Sequence, residues 1–302
     1  MKTKPAASLL ILIIASIGML PVYIHAGKYS RIISLAPNIT ETLYTLGLGD
    51  EVVGVTRFCT WPPEVDEKPE VGGYFDPNIE AIVALEPDLV IMLPAHQRLR
   101  SFLEELDIEY LILPNETVSE IIETVRVIGD RCGVSERADS LADSLESAVD
   151  SACHPGEGGE GPHVLIIIDR QYGKAPEEVF AAAGGTWYDE LLRAAGGVNA
   201  LKESTPAYPM LSPESLVYLQ PDIIIEIVPG AEARGLDAHA IIADWESFDM
   251  LEAVAGGRVR VLTGRYAAVP GPRFVHLLEE FRGIIKRDGR SRPLNSRYPS
   301  VH

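Results

Sequence analysis

Cysteine is scarce: Cys59, Cys132 and Cys153 are the only three in a chain of 302 residues. An odd count leaves at least one thiol unpaired in a monomer, which excludes a disulfide framework as the basis of the fold. Basic residues are also in short supply, with 26 Lys and Arg against 44 Asp and Glu and a formal net charge of −18. That balance excludes the basic footprint of a nucleic-acid binder and offers no attraction to anionic lipid. It suits a partner that presents arginines. Signatures of catalysis are missing as well. The chain has no Gly-x-Ser-x-Gly elbow, no His-Glu-x-x-His pair and no Cys-x-x-Cys motif, and its seven histidines are scattered. A binding protein with no catalytic residues, no metal centre of its own and no intrinsic cofactor is therefore the expectation, with an exported enzyme as the weaker alternative.

Long apolar runs are absent except at the start, where Ala6 to Leu20 follows Lys2 and Lys4 and leads into Ile24-His25-Ala26. This pattern reads as a signal peptide over 1–26, cleaved after Ala26; an uncleaved anchor is the alternative. The first cysteine is Cys59, so no lipid-accepting cysteine follows the apolar segment, and a freely soluble, exported protein is expected. Hydrophobic residues make up 46% of the chain, enough for a packed core in two domains of ordinary size.

What is present is a duplication. Asn78-Ile79-Glu80 runs on through Leu85, Pro87 and Asp88 into Leu89-Val90-Ile91, and Ser212-Pro213-Glu214 runs on through Leu219, Pro221 and Asp222 into Ile223-Ile224-Ile225. Every landmark stands at the same offset from the glutamate. Each copy has an N-cap residue, an acid in the first turn where the helix dipole favours it, and a proline that stops the helix before a buried strand. The pattern predicts two α/β lobes, each with one acid at a helix start near the surface.

Around these units the chain alternates. Strands are expected at 31–35, 52–55, 110–113, 164–168 and 259–262. Helices are expected at 40–46, 96–106, from the Thr117-x-x-Glu120 capping box, at 188–195 and at 275–285. The fold class is thus α/β, as two doubly wound lobes over 28–132 and 163–286. Apolar residues at 134, 138, 141, 145, 149 and 152 predict one interlobe helix over 133–154, roughly 28 Å long at 1.5 Å per residue. It sets Cys132 and Cys153 at opposite ends, too far apart to bridge. The glycine-rich stretch 155–162 matches a dinucleotide fingerprint only formally. A helix precedes it and a strand follows, so it reads as a linker. Residues 287–302 read as a disordered tail.

From Arg31 to Ile285 the chain resembles the solute-binding proteins of ABC importers for cobalamin, ferric siderophores and haem, the class whose lobes are joined by one helix. The resemblance rests on Arg31-Ile32-Ile33-Ser34-Leu35-Ala36-Pro37-Asn38-Ile39-Thr40-Glu41, on Val53-Gly54-Val55-Thr56, on both duplicated units and on Pro270-Gly271-Pro272-Arg273. Cys59-Thr60-Trp61-Pro62-Pro63-Glu64 followed by Val71-Gly72-Gly73 looks most like the cobalamin-binding branch. The resemblance implies a monomeric protein of the periplasm or another extracytoplasmic space. It would hold a metal chelate between its lobes and pair Glu80 and Glu214 with arginines of the importer's permease. It also implies small opening motions, since a helix resists hinge bending.

Matching to the cobalamin pattern marks Phe58, Tyr74 and Tyr208 as ligand contacts, each in a loop next to proline or glycine, with Tyr266 as a further candidate. Two departures pull toward a ferric siderophore or haem: Leu93 stands where an aromatic is welcome, and Arg265 where an acidic contact is expected. Arg273 is either a second such cation or a brace for its own loop. Cys59 and His96 are weak candidates for coordinating the bound metal.

Overall fold

The computed structural model describes residues 28–152, 161–202 and 204–288. The expected signal peptide, the linker up to Glu160 and the tail beyond Asp288 lie outside them, and so does Cys153.

The N-terminal lobe runs β1 (Ile32–Ser34), α1 (Pro37–Thr45), β2 (Val52–Val55), α2 (Ile79–Ala84), β3 (Leu89–Met92), α3 (Arg100–Glu105), β4 (Glu109–Ile112) and α4 (Val118–Cys132). Its strands are all parallel, in the order β2-β1-β3-β4. Side chains of β1 and β3 alternate between two buried layers: Ile33, Val90 and Met92 meet Ile82 and Leu103, while Ile32, Leu89 and Ile91 meet Leu43, Val125 and Ile128. Both sheet faces are therefore covered by helices, as a parallel sheet requires. The helix α5 (Ser135–Ala152) follows. It packs on α4 so closely that a Cβ on Gly129 would come within 2.1 Å of the Ala138 Cβ, so only glycine fits there.

The C-terminal lobe runs β5 (His163–Arg170), β6 (Val179–Ala181), α6 (Trp187–Ala194), β7 (Val198–Asn199), β8 (Met210–Leu211), α7 (Pro213–Leu219), β9 (Ile223–Ile227), α8 (Ala238–Ala243), α9 (Glu252–Ala255), β10 (Val259–Leu262) and α10 (Phe274–Asp288). Its sheet departs from the expected repeat of the first lobe. Strands β10, β9 and β5 are parallel, but β6 and β8 extend the sheet antiparallel in the order β10-β9-β5-β6-β8.

The duplicated units fold alike. Asn78 caps α2 by accepting from the Ala81 amide, and Ser212 caps α7 by accepting from the Ser215 amide. Asp88 then accepts from the Ser30 and Arg31 amides at the start of β1, and Asp222 from the His163 amide at the start of β5. Each Pro-Asp pair thus fastens its own strand to the neighbour beside it. One apolar cluster, including Ile32, Leu43, Val125, Leu145, Ile166, Leu191 and Phe281, continues from the first lobe through α5 into the second. Two smaller departures follow from local chemistry. The segment expected as a helix over 96–106 begins as a 3-10 turn at Pro94–Leu99 and becomes α3 only at Arg100. Helix α10 continues through Asp288, which accepts from Arg260, so the first residues of the expected tail are helical.

Candidate functional site

Loops that follow parallel strands gather at the carboxyl edge of a sheet, where α/β proteins hold ligands. In the N-terminal lobe Phe58 follows β2 and is 52% exposed, with the Arg57 guanidinium 5.5 Å from its ring centre. Arg57 also pairs with Asp76 at 2.8 Å, which ties this loop to the one carrying Tyr74 and Phe75. The rings of Tyr74 and Phe75 meet edge to face at 4.7 Å, and Phe75 is 88% exposed. The structure thus brings Phe58 and Tyr74 onto one rim. Phe75 escaped the sequence reading, although an aromatic between Tyr74 and Asp76 in a loop was its visible signal.

In the C-terminal lobe Arg265 and Tyr266 open a 3-10 turn just after β10. Arg265 is exposed and lies beside Gly230, the residue that turns the chain after β9 with φ of 64°. Among the described residues no carboxylate lies within 4 Å of it. Tyr266 donates to Glu280 at 2.7 Å, and burial together with that carboxylate pushes its phenol up to about 12. Tyr208 is half-buried, and its ring meets Tyr188 edge to face at 6.5 Å. Burial pushes the Tyr208 phenol up, a hydrogen bond with Trp187 opposing it. Tyr188 in turn donates to the Ala267 carbonyl, so Tyr208 and the turn of Tyr266 belong to one structure. Tyr172, just past β5, is a further aromatic at this edge. Its ring centre is 4.8 Å from the Arg170 guanidinium and 5.4 Å from that of Arg234. Beyond Arg170, its neighbours come from distant elements, among them Val228, Ala231 and Ile241, so little local marks Tyr172.

The two edges are joined at a seam. Arg273 forks onto Glu41 of α1 through Nε and Nη2, and its guanidinium lies 4.4 Å from the ring centre of Trp61. Burial works to push the Glu41 carboxyl up, and Arg273 works against it. Beside the fork, a Cβ on Gly271 would stand 3.2 Å from the Asn38 Cα, so the lobes touch backbone to backbone. At a second seam the amide of Val118 donates to Glu190 at 2.6 Å and the amide of Trp187 donates to the Glu116 carbonyl at 2.9 Å. Arg273 is thus engaged within the protein, as a brace across lobes rather than within its own loop.

Three sequence expectations turn inward. Cys59 is buried, its sulfur within hydrogen-bonding reach of the Thr40 and Thr56 hydroxyls, and burial pushes the thiol up. His96 accepts from the Leu93 amide at Nδ1, so Nε2 carries the proton it shares with the Tyr74 carbonyl; burial lowers its pKa. Both nitrogens are occupied, and neither residue is presented to a bound metal. Leu93, directly after β3, is buried against the core. Among the described residues no group of three or more His, Cys, Asp or Glu is arranged to hold a metal ion.

Glu80 and Glu214 stand apart from these groups, exposed in the first turns of α2 and α7. Since each helix returns the chain to a parallel strand, its start lies at the carboxyl edge of its own sheet. A hydrogen bond with Ser212 holds the Glu214 carboxyl below the ordinary carboxylate range. Among the described residues no helix is long and apolar enough to cross a membrane.

Comparison with known proteins agrees with this architecture. The vitamin B12-binding protein of Vibrio cholerae serotype O1 is 27% identical over 271 residues, covering 85% of this chain and 89% of that protein. The crystal structure of the periplasmic vitamin B12-binding protein BtuF of Vibrio cholerae superposes with a TM-score of 0.73 at 26% identity, over 87% of this chain and 99% of that one. The periplasmic heme-binding protein RhuT from Roseiflexus sp. RS-1, in apo form, superposes at 0.70 with 25% identity, over 86% and 99%. Residues 32–266 match the family described as periplasmic binding protein, and with most of its length inside that match the chain belongs to this family.

Proposed function

We propose that the protein is an extracytoplasmic binding protein that captures a metal chelate between its two lobes and delivers it to an ABC importer. A corrinoid such as cobalamin is the chelate that fits best. The observation that carries this reading is the aromatic rim on each lobe: Phe58, Tyr74 and Phe75 on one, Tyr208 and Tyr266 on the other. A corrinoid offers broad apolar faces and an amide rim, and such a ligand needs aromatic surfaces with a few polar contacts. The Tyr208 and Tyr266 hydroxyls are engaged by Trp187 and Glu280, so these rings would offer their faces, and exposed Arg265 a polar contact. The protein works as a monomer, with the chelate as cargo rather than cofactor.

Exposed Arg265 favours a second reading, in which the cargo is an anionic ferric siderophore or a haem whose carboxylate meets the guanidinium. Delivery rests on Glu80 and Glu214, which pair with permease arginines. Val83 and Tyr218 sit three and four residues beyond these acids on the same helices and are exposed, Tyr218 by 87%, which adds apolar area to each docking face.

The test is titration of the purified protein with cyanocobalamin, a ferric hydroxamate siderophore and haemin, followed by calorimetry and by Trp61 fluorescence, since Trp187 and Trp245 are buried. Saturable one-to-one corrinoid binding, weakened about tenfold or more by Phe58→Ala or Tyr74→Ala, is expected. Binding of haemin alone, lost in Arg265→Ala, moves the assignment to the second reading. Glu80→Ala with Glu214→Ala should abolish uptake in a reconstituted importer and leave binding unchanged.

A further inference from the structure

The loop that follows β2 contains both Phe58 and Trp61, and it belongs to the N-terminal lobe by sequence. Its contacts do not all belong there. The Trp61 ring is met at 4.4 Å by the guanidinium of Arg273, which stands at the entry to α10 in the other lobe. That guanidinium is itself fixed by two hydrogen bonds to Glu41, and the side chains are only 16% and 3% exposed. A planar guanidinium in a fork has one orientation, and so presents one face to an aromatic ring. Glu41 is equally fixed, because α1 carries it against the seam where Asn38 meets Gly271.

We propose that Arg273 is a positioning residue for the ligand loop of the opposite lobe: anchored on Glu41, it holds Trp61 and through it the segment 57–62 that presents Phe58. The loop is tied to its own lobe through Arg57 and Cys59, and the end that carries Trp61 then keeps its place only while the lobes keep their present orientation. A ligand that touches Phe58 reads both lobes at once, even where its contacts are confined to one. This consequence for affinity rests on the ligand-capture reading above; the clasp itself does not.

Arg273→Lys keeps the charge and loses both the fork and the flat stacking face, so it separates orientation from charge. In that variant, the backbone amides of 57–61, above all those of Arg57 and Cys59 that bond the Gly72 and Thr56 carbonyls, should exchange hydrogen roughly three- to tenfold faster than in the parent, while amides of β3 and α4 are unchanged. Trp61 emission should shift in the same variant. Because a buried partner is left behind, Arg273→Gln and Glu41→Gln are expected to unfold more easily. Trp61→Leu is the second probe: it removes the stack, leaves the Arg273 and Glu41 fork intact, and should accelerate exchange in 57–61 alone. Unchanged exchange in 57–61 in folded Arg273→Lys and in Trp61→Leu overturns the proposal. These readouts need no ligand, so failure of the wild-type protein to bind cyanocobalamin, siderophore or haemin defeats the capture reading separately. If wild type does bind one of them, the same probe should bind Arg273→Lys about tenfold more weakly, chiefly through faster release. Equal affinity would sink the link between the clasp and the site.

Discussion

At the same offset from the two duplicated glutamates, the N-terminal lobe has Met92 and the C-terminal lobe has Glu226, and both side chains are fully buried. Methionine at the end of β3 needs only apolar neighbours, and Leu99 and Leu103 supply them. A carboxylate at the end of β9 needs partners. Glu226 accepts from Arg170 at 2.9 and 3.0 Å and from the Trp245 indole. The remaining donors of Arg170 go to Asp244 at 2.8 Å and to the carbonyls of Gln171 and Ile241. The difference teaches that one strand frame tolerates an apolar or an ionic core, provided the surrounding elements are built to match. In the second lobe α8 and the turn after it do that work, and the same guanidinium braces the turn that carries Tyr172.

Breaking this ionic core gives the largest expected effect. Arg170→Ala or Glu226→Ala strands a buried charge and should cost about 3–5 kcal/mol in urea unfolding. Arg170→Met with Glu226→Met removes both charges and should recover part of that loss, since Asp244 and the Trp245 indole still lose a partner. A double variant as unstable as the singles would show that packing, not charge, sets the difference. Next come the aspartates that fasten the strands. Asp88→Ala and Asp222→Ala should each cost about 1–3 kcal/mol, with faster amide exchange at Ser30 and Arg31 in one lobe and at His163 in the other. Asp88 also accepts from the Ser30 hydroxyl.

The smallest effect sharpens the comparison most. Glu86 and Gln220 occupy equivalent turns before proline, with φ of 45° and 41°, a left-handed region that costs a side chain about 1 kcal/mol or more. Glu86→Gly should therefore raise stability by up to about 1 kcal/mol in thermal unfolding. Gln220→Gly should gain nothing, because the Gln220 side chain also bonds the Met250 carbonyl and the Glu252 amide. Equal gains would mean that those two bonds at 3.4 Å contribute little.

Much of this frame was legible in the chain because its signals are local. An N-cap, a first-turn acid, a proline stop and a buried strand lie within one short span, so both duplicated units and the Thr117 capping box could be read directly. The α/β class followed from their alternation. Strands β6 and β8 were not legible, being three and two residues long and defined by pairing rather than by any run of their own. Charged core residues were hidden for another reason. Arg170 and Glu226 each look like a surface residue until the partner, 56 positions away, is beside it. The seam was further out of reach, since Glu41 and Arg273 are separated by 232 positions. The edge aromatics fall between these cases: their loops were readable, but which ring meets which was not.

The second seam sets two helices start to start. Helix α4 receives a carboxylate from α6 at its first amide, and α6 finds a carbonyl just ahead of α4 for its own. Each lobe thus completes the other's helix. Thr117 and Thr186 still cap the two helices from within, so drawing the lobes apart takes an acceptor only from the first amide of each helix, at about 1 kcal/mol each. The joint is therefore expected to act as a spring rather than a free hinge: an excursion that breaks these two bonds is pulled back by the amides it exposes.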